Sequence, residues 1–219
     1  MMGARRPMRS TSWASAWALL VVRELLLGPK RFTDLKAGAC RARAPTSSPG
    51  GCAGWGEAGV VRPRKLPPPA ASRVYEVTDL GMDLEPVLTG LGRWGAGCPS
   101  MPHDAAMGVD SLVLSFRTMF DQRAAAEGLA ARYELRLGED RSRAEIADGG
   151  FEISRGSADR PDAIIETDPG TLAGLIYDDR TLAEAMRSGG LEVTGDRSAF
   201  ERFLGLFPLP SPAALVGRT

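Results

Sequence analysis

Residues 17–27, "WALLVVRELLL", place Leu19, Leu20, Val22, Leu26 and Leu27 at helical spacing around a polar Arg23-Glu24 pair. That pattern predicts a helix, stopped by Gly28-Pro29. "KRFTDLK" predicts a second, short helix with Thr33 or Asp34 in its first turn. The pattern then vanishes for about fifteen residues within Lys36 to Leu66, where Pro, Gly, Ser, Arg and Cys take over. It resumes in "GVVRPRKLPPPAASRVYEVT", which predicts a hairpin of strands Val60–Leu66 and Arg73–Val77 around a Pro-rich tip. Thr78 is placed to cap the next helix. That helix puts Leu84, Val87, Leu88, Leu91 and Trp94 on one face, with Pro86 a turn in as a possible kink.

"GAGCPSMPHD", from Gly95 to Asp104, is punctuated like a linker. Beyond it a helix is expected around Val109–Arg123. In "ARYELRLG", Tyr133, Leu135 and Leu137 alternate with Arg132, Glu134 and Arg136, as in a strand with one buried face. "RAEIADGGFEIS" continues as a hairpin turning at Asp148-Gly149-Gly150. The remainder reads as helix, helix, short strand, helix, with Asp168-Pro169 and Asp196 as helix starts. The fold class is therefore α+β.

The chain has 219 residues, 43% hydrophobic and 25% charged, as in ordinary globular protein. Net charge is zero, but residues 1–98 carry 14 basic against 7 acidic side chains and residues 99–219 carry 13 against 20. A basic half joined to an acidic half suggests a nucleic-acid-facing module beside one that is not. Three cysteines (Cys40, Cys52, Cys98) without a paired spacing point to a reducing cytoplasm rather than a disulfide framework. With one histidine, His103, and no Cys-x-x-Cys, no metal site or cofactor is expected. The run Trp17–Leu27 is too short to span a bilayer and contains Arg23 and Glu24, so no membrane partner is expected. The basic start imitates a signal peptide, but its apolar run continues into a charged amphipathic helix.

In order, these elements are helix, short helix, a gap, then a hairpin with a basic tip. At "RELLLGPKRFTDL" and "EAGVVRPRKLPPPAASRVYEVTDLGMDLEPVLTGLGRWG" the chain resembles the HxlR family of winged helix-turn-helix transcriptional regulators. From "RYELRLGED" to "FERFLGLFPLP" it resembles the sterol-carrier-protein fold, a curved sheet and helices around an apolar pocket. The resemblances imply a winged helix-turn-helix domain over residues 1–95, a linker over 96–105, a sterol-carrier-like α/β sandwich over 106–212 and a tail over 213–219. They also imply double-stranded DNA as a partner, a homodimer, and a hydrophobic small molecule as a possible ligand.

In the HxlR family the element missing here is the recognition helix. Displacing the reading frame by one codon position restores apolar residues across 39–56, because Cys40, Cys52 and Trp55 then each force Leu, Met or Val. The same displacement restores a helical pattern across "RSTSWASA", ahead of Trp17. Residues 1–16 and 39–56 thus read as frame-shifted, the other reading being a natural irregular insertion.

By the resemblance, Lys30, Arg31 and Thr33 at the turn into the short helix, and Arg62, Arg64, Lys65 and Arg73 along the wing, are candidates for DNA phosphates. A solvated basic face is the alternative. Phe116, Phe120, Leu172, Ile176 and Phe203 are the candidates for an apolar pocket, with ordinary core as their default role. No nucleophile, acid–base pair or phosphate loop stands out, so no enzyme is expected. The expected function is a ligand-modulated DNA-binding regulator; the alternative is a non-enzymatic binder of a hydrophobic ligand with a damaged DNA-binding domain.

Overall fold

The structure, a computed structural model, describes residues 16–35, 59–68, 72–98, 107–125 and 128–211. The stretches that read as frame-shifted, 1–16 and 39–56, lie outside the described residues apart from Ala16, the expected recognition segment among them. So do residues 99–105 of the linker and the whole tail, 213–219. The chain divides into two compact units, residues 1–88 and 89–219.

In the first unit helix α1, Ala16–Leu25, buries Val21, Val22 and Leu25. Its last turn tightens through Leu26 N–H to the Val22 carbonyl and Gly28 N–H to that of Leu25, and the chain leaves through Gly28 at φ 123°. Lys30 then exchanges both backbone hydrogen bonds with Tyr75, and residues 32–35 form the short helix. Strands β1, Val61–Lys65, and β2, Arg73–Val77, pair antiparallel in the expected hairpin. Pro63 lies opposite Tyr75, whose own N–H and C=O are engaged with Lys30. The missing proline N–H therefore leaves no ladder bond unmade.

Thr78 accepts a hydrogen bond from Gly81 N–H at 3.2 Å and caps helix α2, Asp79–Met82. Helix α3, Glu85–Ala96, follows after a short break and runs across the boundary between the units at residue 88. Pro86 sits in its first turn, where no intrahelical donor is needed, so the discontinuity falls just before the proline. The apolar face expected on this helix is present but turned to solvent: Val87 is 59%, Leu91 51% and Trp94 70% exposed.

The second unit is a five-stranded sheet with helices. Helix α4 is Val109–Met119; strands β3, β4 and β5 are Ala131–Leu137, Asp140–Ala147 and Gly150–Arg155. Strand β6, Ala163–Thr167, leads into helices α5, Pro169–Tyr177, and α6, Leu182–Arg187. Strand β7, Leu191–Gly195, and helix α7, Arg197–Leu204, complete the unit. The sheet order is β5-β4-β3-β6-β7, with β3 and β6 parallel and the other neighbours antiparallel. The β4–β5 turn puts Asp148 and Gly149 at φ 52° and 73°, the two left-handed residues of a tight hairpin.

Helix starts follow the sequence signals. Asp168 caps α5 ahead of Pro169, Thr181 and Glu184 form a reciprocal capping box on α6, and Asp196 caps α7. Two features differ from expectation. Helix α4 ends at Met119 because Phe120 swings to ψ 125°. Strand β6 is central yet carries only "AIIET", a run too short to stand out from its Pro- and Asp-rich flanks.

Candidate functional site

Alternation along the strands decides where the second unit's interior lies. Tyr133, Leu135, Leu137, Ala144, Ile146, Ile153, Ala163 and Ile165 are all buried on one face of the sheet. Helices α4 and α7 pack on that side, α4 against β5 and α7 against β6 and β7. Helix α4 contributes Leu112, Val113, Phe116 and Met119; α7 contributes Ala199, Phe200 and Phe203. Leu206 and Phe207, just beyond α7, are buried with them.

The rings form a continuous series. Phe200 lies 6.5 Å from Phe203, which touches Tyr133 at 4.8 Å, Phe207 at 4.9 Å and Phe116 at 5.6 Å. Phe207 then meets Phe151 at 5.3 Å, and Phe151 stacks on Phe120 at 5.2 Å. Each such pair contributes about 0.5–1.5 kcal/mol beyond its area. The inner rings are fully buried, whereas Phe120 and Phe151 are half-buried, so the series runs from the core to the surface.

The expected pocket residues divide accordingly. Phe116, Leu172 and Phe203 are fully buried, while Phe120 and Ile176 are half-buried. The structure brings Phe116 and Phe203 into contact and joins Phe120 to them through Phe207. Leu172 and Ile176 lie on α5. Phe151, Phe207 and Tyr133 belong to the same ring series but were not among the candidates. Phe151 was legible, since it shares a strand face with Ile153 just after the turn. Phe207 follows a helix end in "GLFPLP", where no periodicity marks it.

Three hydroxyls make defined hydrogen bonds in this unit, that of the fully buried Tyr133 and those of the half-buried Ser115 and Tyr177. Tyr133 donates to the Ala199 carbonyl at 3.1 Å and ties the sheet to α7. Ser115 donates to the Leu112 carbonyl at 2.7 Å, so the 2.7 Å contact between Ser115 and Tyr177 is a donation by the tyrosine. Burial pushes both phenols up to about 12, so both are neutral at ordinary pH and act as hydrogen-bonding groups.

The other face of the sheet is polar. Glu134 is nevertheless buried, held by Arg136 at 2.8 Å, Arg141 at 3.3 Å and the Ala158 N–H at 3.0 Å. The Arg136 hydrogen bond, opposed by desolvation, holds its carboxyl below the usual range.

In the first unit the basic candidates fare differently. Lys30 Nζ lies 2.6 Å from Glu24, a buried carboxylate that also takes Arg23 at 2.8 Å. Burial alone would raise the Glu24 pKa, but the hydrogen bonds from Lys30 and Arg23 hold it down. One of the three Lys30 donors is thus committed to Glu24. Arg31 and Thr33 are exposed, and Thr33 Oγ1 donates to Asp34 at 3.2 Å. Arg62 and Arg64 both clasp Glu76, at 2.8 and 3.0 Å, and hold its carboxyl below the usual range. Lys65 and Arg73 are exposed and directly opposite each other at the end of the hairpin. Among the described residues, no group of three or more His, Cys, Asp or Glu is placed to hold a metal.

Comparison with known proteins concerns the second unit. Residues 105–213, just under half the chain, match the family described as "Alkyl sulfatase C-terminal". No curated protein sequence matches the chain. Among solved structures, the inverting sec-alkylsulfatase Pisa1 from Pseudomonas sp. is 19% identical over 48% of this chain, with a TM-score of 0.41. The chain spans only 16% of that protein. The ubiquinone synthesis protein UbiJ-SCP2 is 18% identical over 49% of this chain and 93% of its own, with a TM-score of 0.38. Sterol carrier protein 2 like 2 from Aedes aegypti is 13% identical over 38% of this chain and 79% of its own, at 0.30. At such scores these structural likenesses carry no weight alone, and none of these proteins is a winged helix-turn-helix regulator. Residues 105–213 are similar to the alkyl sulfatase C-terminal domain.

Proposed function

We propose that this chain is a non-enzymatic, cytoplasmic binder of a hydrophobic small molecule, with its site in the second unit. The family match over residues 105–213 and the one-sided sheet support this reading. The observation that carries it is the aromatic series, which starts at Phe200 in the core and ends at the half-buried Phe120–Phe151 stack. A ligand of this kind is held by apolar area, with a few neutral hydroxyls to orient it. Tyr133 and Tyr177 supply those hydroxyls. Sterol-carrier-like proteins stand among the structural neighbours, and one of them is described as palmitated. A long-chain fatty acid is therefore the first probe. Titration of the full chain with a fluorescent fatty-acid analogue should saturate at one site and vary little with salt. Binding that is unsaturable, or that salt abolishes, contradicts the reading.

One observation favours a second reading, the DNA-binding regulator of the HxlR type. Lys65 and Arg73 are directly opposed across the hairpin, and like charges so placed destabilise a strand pair. An anion between them removes that cost, and a DNA phosphate is such an anion. Fluorescence anisotropy with duplex DNA tests this. Replacing both residues by alanine should weaken binding and lower the salt slope by about 2.

A further inference from the structure

We infer that Ser115 sets the head-group preference of the second unit's ligand site: it fixes Tyr177 as a hydrogen-bond acceptor, so the site takes a long-chain alcohol in preference to a long-chain carboxylate. This preference rests on the hydrophobic-ligand reading and names the head group that the site selects. It follows from where the protons lie. The Ser115 hydroxyl, on α4, is 2.7 Å from the Leu112 carbonyl. A carbonyl only accepts, so the serine proton lies there. The Ser115 oxygen then takes the proton of Tyr177, at the end of α5, across 2.7 Å. Tyr177 has given away its one proton and keeps only its capacity to accept.

Tyr133 is in the same condition, with its proton on the Ala199 carbonyl at 3.1 Å, but it is fully buried against Phe203. Tyr177 is half-buried and is the more open of the two. Its helix carries the fully buried Leu172, and Ser115 directly precedes Phe116, a ring of the aromatic series. The pair therefore stands beside apolar side chains of both helices. A ligand hydroxyl can donate to the Tyr177 oxygen without breaking either existing bond. A carboxylate has no proton to give, and burying it beside an acceptor costs more than burying an alcohol that is hydrogen-bonded. The arginines of α4 and α7 already bond protein oxygens: Arg117 that of Ile153 at 2.6 Å, Arg197 that of Glu201 at 3.1 Å and Arg202 that of Asp196 at 3.4 Å.

Competition against the fluorescent fatty-acid analogue on the full chain tests this, at about pH 8 so that the acid is ionised. The competitors share one chain length: the primary alcohol, its methyl ether and the carboxylate. The alcohol should displace the analogue at a concentration about 3- to 10-fold lower than either of the others, the yield of one hydrogen bond. Tyr177→Phe should remove that preference by weakening the alcohol alone. Ser115→Ala should remove it in the opposite way, because the freed Tyr177 proton becomes a donor and the ether and the carboxylate gain. Circular dichroism and thermal melting of both variants serve as folding controls. Equal displacement by alcohol and ether in the unaltered chain, a carboxylate that outcompetes the alcohol, or a preference that survives both substitutions overturns the inference and leaves the ligand reading standing. An analogue that does not bind the unaltered chain overturns that reading and the inference with it.

Discussion

Glu24 is the residue on which the first unit's charge balance turns. It is 4% exposed, on an otherwise apolar helix face, with a lysine and an arginine on its two oxygens. Glu24→Gln removes the buried negative charge that Lys30 and Arg23 both bond, at a cost of about 3 kcal/mol. Hydrogen exchange of the α1 amides should accelerate accordingly. The folded carboxyl titrates below the ordinary 4.5, so its contribution is complete above that pH and is lost as pH falls through the lower folded value. Acid-induced opening of α1 should therefore set in below pH 4.5 and be blunted in Glu24→Gln. The two interior tyrosines have the opposite linkage. Of three tyrosines in the chain, Tyr133 and Tyr177 should ionise only near pH 12 in an ultraviolet titration, and the second unit should lose stability as pH rises past 10. Neither Glu24 nor Glu134 was legible as buried, because a carboxylate among arginines in sequence looks like a solvated run. Only the folded arrangement shows which carboxylate closes over which arginine.

Elements were more legible than residues where a local signal sets them. The hairpin, the Thr78 and Asp196 caps and the Asp148-Gly149 turn follow from one or two side chains each, and the structure has them at those positions. Strand β6 was not legible, since a central strand of five residues is defined by its neighbours β3 and β7 rather than by its own pattern. The face of α3 was legible, but its burial was not, for spacing shows that a stripe exists and not what it packs on. Two predictions belong at this scale. A Cβ on Gly81 would collide with the Val60 carbonyl, a backbone atom that cannot swing away. Gly81→Ala should therefore destabilise the hairpin–helix junction despite alanine's better helix propensity, lowering the first unit's melting temperature. Phe203→Ala removes the ring that touches Phe116, Phe200, Phe207 and Tyr133, and should cost the second unit about 3–5 kcal/mol by urea denaturation.

At the scale of the whole molecule the two units carry different kinds of information. The second is a sheet with a continuous aromatic interior, and its family likeness covers residues 105–213. The first has the helix, short helix, hairpin and helix order of the resemblance seen in the sequence. Its recognition segment falls outside the described residues, so a winged helix-turn-helix domain is not shown. The mixed α+β order of the second unit was legible because its turns and caps, and most of its strands, are locally coded. The regulator reading rests on a segment whose apolar pattern had to be restored by displacing the reading frame. A hydrophobic-ligand function needs only the second unit. The measurement that tests it most directly is hydrogen exchange of the full chain with and without a saturating long-chain fatty acid. Slower exchange is expected, confined to the second unit and greatest in Val109–Met119 and Arg197–Leu204, the helices that carry Phe116 and Phe203. Unchanged exchange in those helices, or protection only within residues 1–88, would contradict it.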